Sequence, residues 1–123
     1  MLVKELMRRP YVVEKDISLA EAARIMSDKG IGSLVFVSGK AIKGILTEKD
    51  IIKNFGNNKK LSHAMTARVI TIEPDEGIDK ALEIMRKNKV KRLPVVQDKA
   101  IVGIVTLTDI LANFEDLEEE FFF

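Results

Sequence analysis

The residues best equipped for chemistry come as two pairs of the same spacing, Thr47 with Asp50 and Thr106 with Asp109. Each pair follows a glycine, Gly44 or Gly103, by three residues. A carboxylate accepts two hydroxyl protons at once, which suits a ribose diol, and a threonine hydroxyl donates to a phosphate oxygen. Each pair stands where an apolar strand run gives way to a helical pattern. The start of a helix carries unpaired amides and the positive end of the dipole, so phosphate is favoured there. The glycines let backbone come close to a ligand. Phosphate, ribose and an apolar slot for a base together describe an adenosine nucleotide. The same atoms also suffice for a helix cap, with the threonine hydroxyl on the third residue's amide and the acid reaching back, worth about 1 kcal/mol. Asp is shorter than the Glu or Gln such a cap prefers, but both readings stand at this level.

The elements that must position these pairs are themselves duplicated. Gly44-Ile45-Leu46-Thr47-Glu48-Lys49-Asp50 returns as Gly103-Ile104-Val105-Thr106-Leu107-Thr108-Asp109, at an offset of 59 residues throughout. The match extends through Lys40-Ala41-Ile42 against Lys99-Ala100-Ile101 and Asn54-Phe55 against Asn113-Phe114. A lead-in over Val3 to Met7 is stopped by Pro10. Tyr11-Val12-Val13 reads as a short strand, echoed by Val69-Ile70-Thr71-Ile72. Leu19, Ala22, Ala23 and Met26 repeat at helical spacing, as do Ile78, Ala81, Leu82 and Met85. Ser18 with Glu21 caps the first of these helices, Gly77 starts the second, and Gly30 suits the first one's end. Leu34 to Val37 and Ile42 to Leu46 form a hairpin about Ser38-Gly39-Lys40, matched by Leu93 to Val96 and Ile101 to Val105 about Gln97-Asp98-Lys99. Closing helices come next, over Glu48 to about Phe55 and Leu107 to about Phe114. The polar stretch Asn54 to Lys60 is the linker. The chain is therefore expected to be α+β, with β-α-β-β-α written twice. One repeat spans 1–56; linker, second repeat and tail span 57–123. Each half alone would leave an apolar sheet face bare, so the halves are expected to pack sheet-to-sheet about a pseudo-two-fold axis.

Each half resembles a CBS motif, and the pair resembles a tandem CBS (Bateman) module of the stand-alone, two-repeat type. In the second half the resemblance rests on Met65-Thr66, Val69-Ile70-Thr71, Arg92-Leu93-Pro94-Val95-Val96 and Gly103 to Asp109. In the first it rests on Met7, Ile31-Gly32-Ser33-Leu34-Val35 and Gly44 to Asp50, with Val35 where the second half has Pro94. The resemblance implies a regulatory ligand, AMP, ADP, ATP or S-adenosylmethionine, with no cofactor required. It implies that the Asp holds the ribose, the Thr reaches phosphate, and the base lies between strand starts supplied by the partner half. Thr47 and Asp50 would then combine with Ile70, Thr71, Arg92 and Pro94, and Thr106, Thr108 and Asp109 with Val12, Val13, Ile31 and Ser33. Arg92 has no basic equivalent at Ser33, so the Asp50 site is expected to be tighter for charged nucleotides. The family also implies a homodimer formed through helices and, with no effector domain attached, a separate regulated protein.

Composition excludes other classes. The 123 residues carry 20 basic and 19 acidic side chains, a net charge of +1, so no global field draws the chain to nucleic acid or membrane. No apolar run approaches ~18 residues. The absence of cysteine fits a cytoplasmic protein. No nucleophile motif, P-loop or His–acid pairing appears, and the chain reads as a non-enzyme. His63, the one histidine, lacks partners for a metal site and reads as a surface residue of the linker. Lys87, Lys89, Lys91 and Arg92 form a basic cluster suited to a helix end; it is short and without interleaved aromatics, and nucleic-acid binding stays an alternative, as does a purely structural assembly module. The tail ends in Phe121-Phe122-Phe123 after an acidic run, and is expected to dock on a neighbouring subunit.

Overall fold

A computed structural model describes the backbone of residues 1–122 and the side chains up to Phe114. The elements in order are α1 (Val3–Leu6), β1 (Val12–Val13), α2 (Leu19–Lys29), β2 (Ser33–Ser38), β3 (Ala41–Thr47), α3 (Glu48–Lys53), α4 (Leu61–Ala64), α5 (Ile78–Asn88), β4 (Arg92–Gln97), β5 (Ala100–Thr106) and α6 (Leu107–Phe122). The α+β mixture and the repeat of strand, helix and hairpin are as expected. The docking expected of Phe121 to Phe123 lies outside the described residues. By its internal contacts the chain divides into two compact units, Pro10–Val69 and Met1–Arg9 together with the chain from Ile70 onward. The spatial units thus cut across the sequence repeats, with each repeat's lead-in belonging to the other repeat's unit.

In the Pro10–Val69 unit, β1 runs parallel to β2 through Val12↔Val35 and Val13↔Phe36, and β2 pairs antiparallel with β3 from Ser33↔Thr47 to Ser38↔Ala41. A bulge falls between Phe36 and Val37. Helix α2 buries Leu19, Ala22 and Met26, the stripe its spacing predicts, against Leu34, Leu46 and Leu61. Each fully buried leucine contributes about 1.5–3 kcal/mol relative to exposure. The Ser18 hydroxyl accepts from the Glu21 amide at 3.1 Å, and Gly30 ends the helix in the left-handed region at φ 63°. Helix α4 is too short for periodicity to mark it, and Asp16 anchors its start. The Ser62 amide donates to Asp16 Oδ1 at 2.9 Å and the Ser62 hydroxyl donates to Oδ2. These two bonds hold the Asp16 carboxyl below its usual range against the opposing cost of burial, with the charges of Lys60 and His63 assisting. His63 itself is exposed.

In the other unit, α5 buries Ile78, Ala81 and Met85 against Val3, Ile72, Leu93, Val95, Val105 and Ile110. Strands β4 and β5 pair from Arg92↔Thr106 to Gln97↔Ala100, with the bulge at the repeated position between Val95 and Val96. The third strand expected at Val69–Ile72 shrinks to one parallel bridge, Ile72↔Val95. The cause is Pro94. In the first unit the Val35 amide donates to Tyr11 O at 2.9 Å, whereas Pro94, at the same repeat position, has no N–H to donate. Only the bonds from Ile72 N–H to Pro94 O (3.0 Å) and from Val96 N–H to Ile72 O (2.9 Å) remain. Helix α5 ends at Lys89, a non-glycine at φ 55°, and the hairpin turn places Asp98 and Lys99 at φ 52° and 65°.

Both lead-ins lie along a sheet edge. Arg8 exchanges backbone bonds with Ile104 at 2.8 and 2.9 Å, and Thr66 does the same with Ile45 at 2.9 and 3.0 Å. Ile45 and Ile104 are equivalent, so Arg8 and Thr66 occupy the same place in the two units.

Candidate ligand site

Each Thr-x-x-Asp pair sits where the last strand of its unit passes into a helix, and the preceding hairpin strand fixes the turn. Ser33 is the register partner of Thr47, and Arg92 of Thr106. The first helical amide is tied back to the hairpin: Glu48 N–H donates to Gly32 O at 3.3 Å and Leu107 N–H to Lys91 O at 2.8 Å. The acid at the third helical position is thereby brought over the threonine of the strand end.

The two junctions differ in detail. At the first, the Thr47 amide and hydroxyl both donate to Asp50 Oδ2, at 2.9 and 3.2 Å. At the second, the Thr106 hydroxyl donates to Asp109 Oδ2 at 2.8 Å while accepting from the Asp109 amide at 3.1 Å. There the other carboxylate oxygen, Oδ1, is paired with Arg8 Nε at 2.9 Å; the Asp109 side chain is 13% exposed and that of Arg8 75%. The capping geometry is present at both junctions, and both carboxylates remain within reach of solvent.

The other site residues expected from the sequence divide between the two units. Val12 and Val13 lie on β1, Ile31 packs on the core below it, and Ser33 opens β2 beside Thr47. Ile70 packs on the other unit's core, Thr71 is exposed next to the single bridge, Arg92 opens β4 beside Thr106, and Pro94 is buried mid-strand. Thr108 is exposed in the first turn of α6. Arg92 is thus an immediate neighbour of the Thr106–Asp109 pair. The role given to the two glycines needs correcting. A Cβ at Gly103 would lie 2.7 Å from Met7 Sδ and 3.0 Å from its Cγ, and one at Gly44 would lie 2.8 Å from Met65 Cε. The space beside each glycine is filled by a lead-in methionine, so the missing side chain serves packing rather than ligand approach. Sequence reasoning missed Arg8 altogether. The signal that marks it is its place directly after Met7, aligned with Thr66 after Met65, which puts a charge beside the repeated strand in one repeat and none in the other.

Two surface depressions, of about 320 and 500 Å³, lie at the hairpin ends of the units. One is lined by Thr71, Glu73, Lys80 and Asp98 among others, the other by Glu14, Phe36, Lys43 and Met65 among others, and neither includes Asp50 or Asp109. Among the described residues no cluster of His, Cys, Asp and Glu is arranged to hold a metal ion, and no helix is long and apolar enough to cross a membrane.

Known proteins share this architecture. The model of the CBS domain matches residues 3–57 and 61–116. The CBS domain pair of protein MJ0100, solved in complex with 5′-methylthioadenosine and S-adenosyl-L-methionine, is 37% identical and superposes with a TM-score of 0.86, covering 93% of this chain and 99% of that one. An uncharacterized protein of Methanocaldococcus jannaschii, MJ1232, is 40% identical over 103 residues, 82% of this chain and 35% of its own length. The inosine-5′-monophosphate dehydrogenase of Nitrosopumilus maritimus is 34% identical over 110 residues, 88% of this chain and 23% of the enzyme. The chain spans a quarter to a third of the length of these two curated relatives. With two family matches that together span most of its length, set on a duplicated strand–helix–hairpin–helix framework, the chain belongs to the CBS-domain family and carries two CBS domains in tandem.

Proposed function

We propose that this protein is a regulatory module that binds adenosine-containing ligands, AMP, ADP, ATP or S-adenosylmethionine, and passes the ligand state to a partner protein. The observation that carries this reading is the pair of junctions, each presenting a carboxylate on a strand-end threonine, in a chain similar to a domain pair solved with two adenosyl compounds. Asp50 and Asp109 take the ribose, Thr47, Thr106 and Thr108 approach the phosphate or its replacement, and Arg92 adds a cation. The apolar residues Val12, Val13, Ile31, Ile70 and Pro94, with Ser33 and Thr71, line the places for the bases. Regulation rather than catalysis is supported by the domain pair forming under a quarter of a longer enzyme chain. A bound ligand favours the arrangement in which it makes most contacts, and a partner that distinguishes arrangements reads that shift.

Self-association as a homodimer is part of the same proposal. Ile52 and Phe55 on α3 and its C-terminal turn are exposed, Phe55 to 90%, and so are their repeat equivalents Leu111 and Phe114 on α6. Such apolar side chains at helical spacing suit burial against a second copy. A cytoplasmic location is part of the same proposal, and the lack of cysteine fits it.

A thermal-shift series with AMP, ADP, ATP, S-adenosylmethionine and a short DNA duplex tests the reading. A ligand at 100 times its dissociation constant stabilises the bound state by about 2.7 kcal/mol, several degrees for a chain of this size. Loss of the shift in Asp50→Ala plus Asp109→Ala protein completes the expected result. A shift that survives both substitutions, or one given by DNA alone, refutes it.

A further inference from the structure

The geometry points to Arg8 as the residue that makes the two junctions select different ligands, by tying preference for a 5′-phosphate to the Asp109 junction. The inference rests on the reading of that junction as an adenosyl site. A ribose diol engages a carboxylate through both oxygens, yet Asp109 Oδ1 is held by Arg8 Nε at 2.9 Å while Oδ2 accepts the Thr106 hydroxyl at 2.8 Å. A diol entering there competes with Arg8 for Oδ1 and turns the guanidinium aside. The pair is largely open on the arginine side, 75% exposed, and exposed ion pairs hold weakly. The fate of the displaced guanidinium depends on the ligand. A nucleoside offers it no anion in exchange. A nucleoside monophosphate supplies one, and guanidinium to phosphate is a charge-assisted contact that can be made with two prongs.

Among the described residues the Asp50 junction has no such device. Thr66 stands where Arg8 stands, bridged to Ile45 as Arg8 is to Ile104, and a threonine carries no charge to displace or to offer. Arg92 works in the same direction, since it opens β4 as the register partner of Thr106 while Ser33 partners Thr47. Arg92 counts toward the Asp50 junction only through the family resemblance, whereas its register sets it beside Thr106. Within the unit that holds Asp109 there are two arginines at the junction, and one of them is in direct contact with the acid.

Titration calorimetry of Asp50→Ala protein, which keeps only the Asp109 carboxylate, is run with AMP and with adenosine. AMP is expected to be favoured by at least about tenfold, and Arg8→Thr in the same background to lower that preference about tenfold without weakening adenosine binding. Arg8→Lys, which keeps the charge but not the fork, retains part of the preference and shows that the effect is not one of folding. In Asp109→Ala protein, Arg8→Thr leaves the AMP to adenosine ratio unchanged. An unaltered ratio in the Asp50→Ala background, or an equal change in both backgrounds, overturns the inference while leaving adenosyl binding intact. Failure of wild-type protein to bind either compound overturns both together.

Discussion

Substituting Gly103 by alanine tests whether the lead-in methionine, rather than a ligand, accounts for the repeated glycine. An added Cβ lies 2.7 Å from Met7 Sδ, 3.0 Å from Cγ and 3.1 Å from Cβ, whereas unstrained carbon contacts sit at roughly 3.5–4.0 Å. Rotation about χ1 moves Sδ and Cγ but not Cβ, and the Met7 backbone is pinned by its own bond to Val3 O at 2.9 Å and by the Arg8–Ile104 bridge beside it. Gly103 does not have positive φ, so alanine fits the backbone and the effect isolates packing. Overpacking of this kind costs about 1–3 kcal/mol. Met7→Ala alone, at a half-buried site, costs about 1–2 kcal/mol, at or below the low end for fully buried methionine. In the double variant the new methyl occupies the space left by Sδ and Cγ. The pair should then lose less than the two single losses added, by about 1 kcal/mol or more. Urea unfolding followed by circular dichroism at constant m-value reads the cycle. Gly44→Ala with Met65→Ala repeats it in the other unit. Additive losses, or a Gly103→Ala variant within about 0.5 kcal/mol of wild type, refute the packing account.

Local structure sets two further outcomes. Lys89→Gly replaces a left-handed lysine by the residue that ends α2 at Gly30, and should raise stability by about 0.5–1 kcal/mol, while Gly30→Ala should lower it by a similar amount; thermal melts check both signs. Asp16 is held ionised by Ser62, so its folded pKa lies below the unfolded value of about 3.9 and its contribution is present above that pH and lost as pH falls through the folded value. Wild-type protein should therefore lose urea resistance more steeply than Asp16→Asn between about pH 5 and pH 3, and parallel acid profiles would contradict the role of the Asp16–Ser62 pair.

Much of the molecule is written locally. The 59-residue offset, the helical stripes ending at Met26 and Met85, the Ser18 cap, the Gly30 stop and both hairpins depend on neighbours a few residues apart, and periodicity and cap chemistry report such neighbours directly. The Thr-x-x-Asp pairs were legible for the same reason. Even the lost third strand was implicit in Pro94, whose missing N–H removes a rung. What only the tertiary structure decided is which distant group stands beside each local device. Arg8 reaches Asp109 from the far end of the chain, Ser62 reaches Asp16 across 46 positions, and Met7 and Met65 fill the room beside Gly103 and Gly44. No spacing rule connects such pairs, because their proximity is set by how the chain packs its lead-ins onto sheet edges. The nearly identical junctions are thereby given unequal charge, a difference that lies in the contacts rather than in the repeated motif.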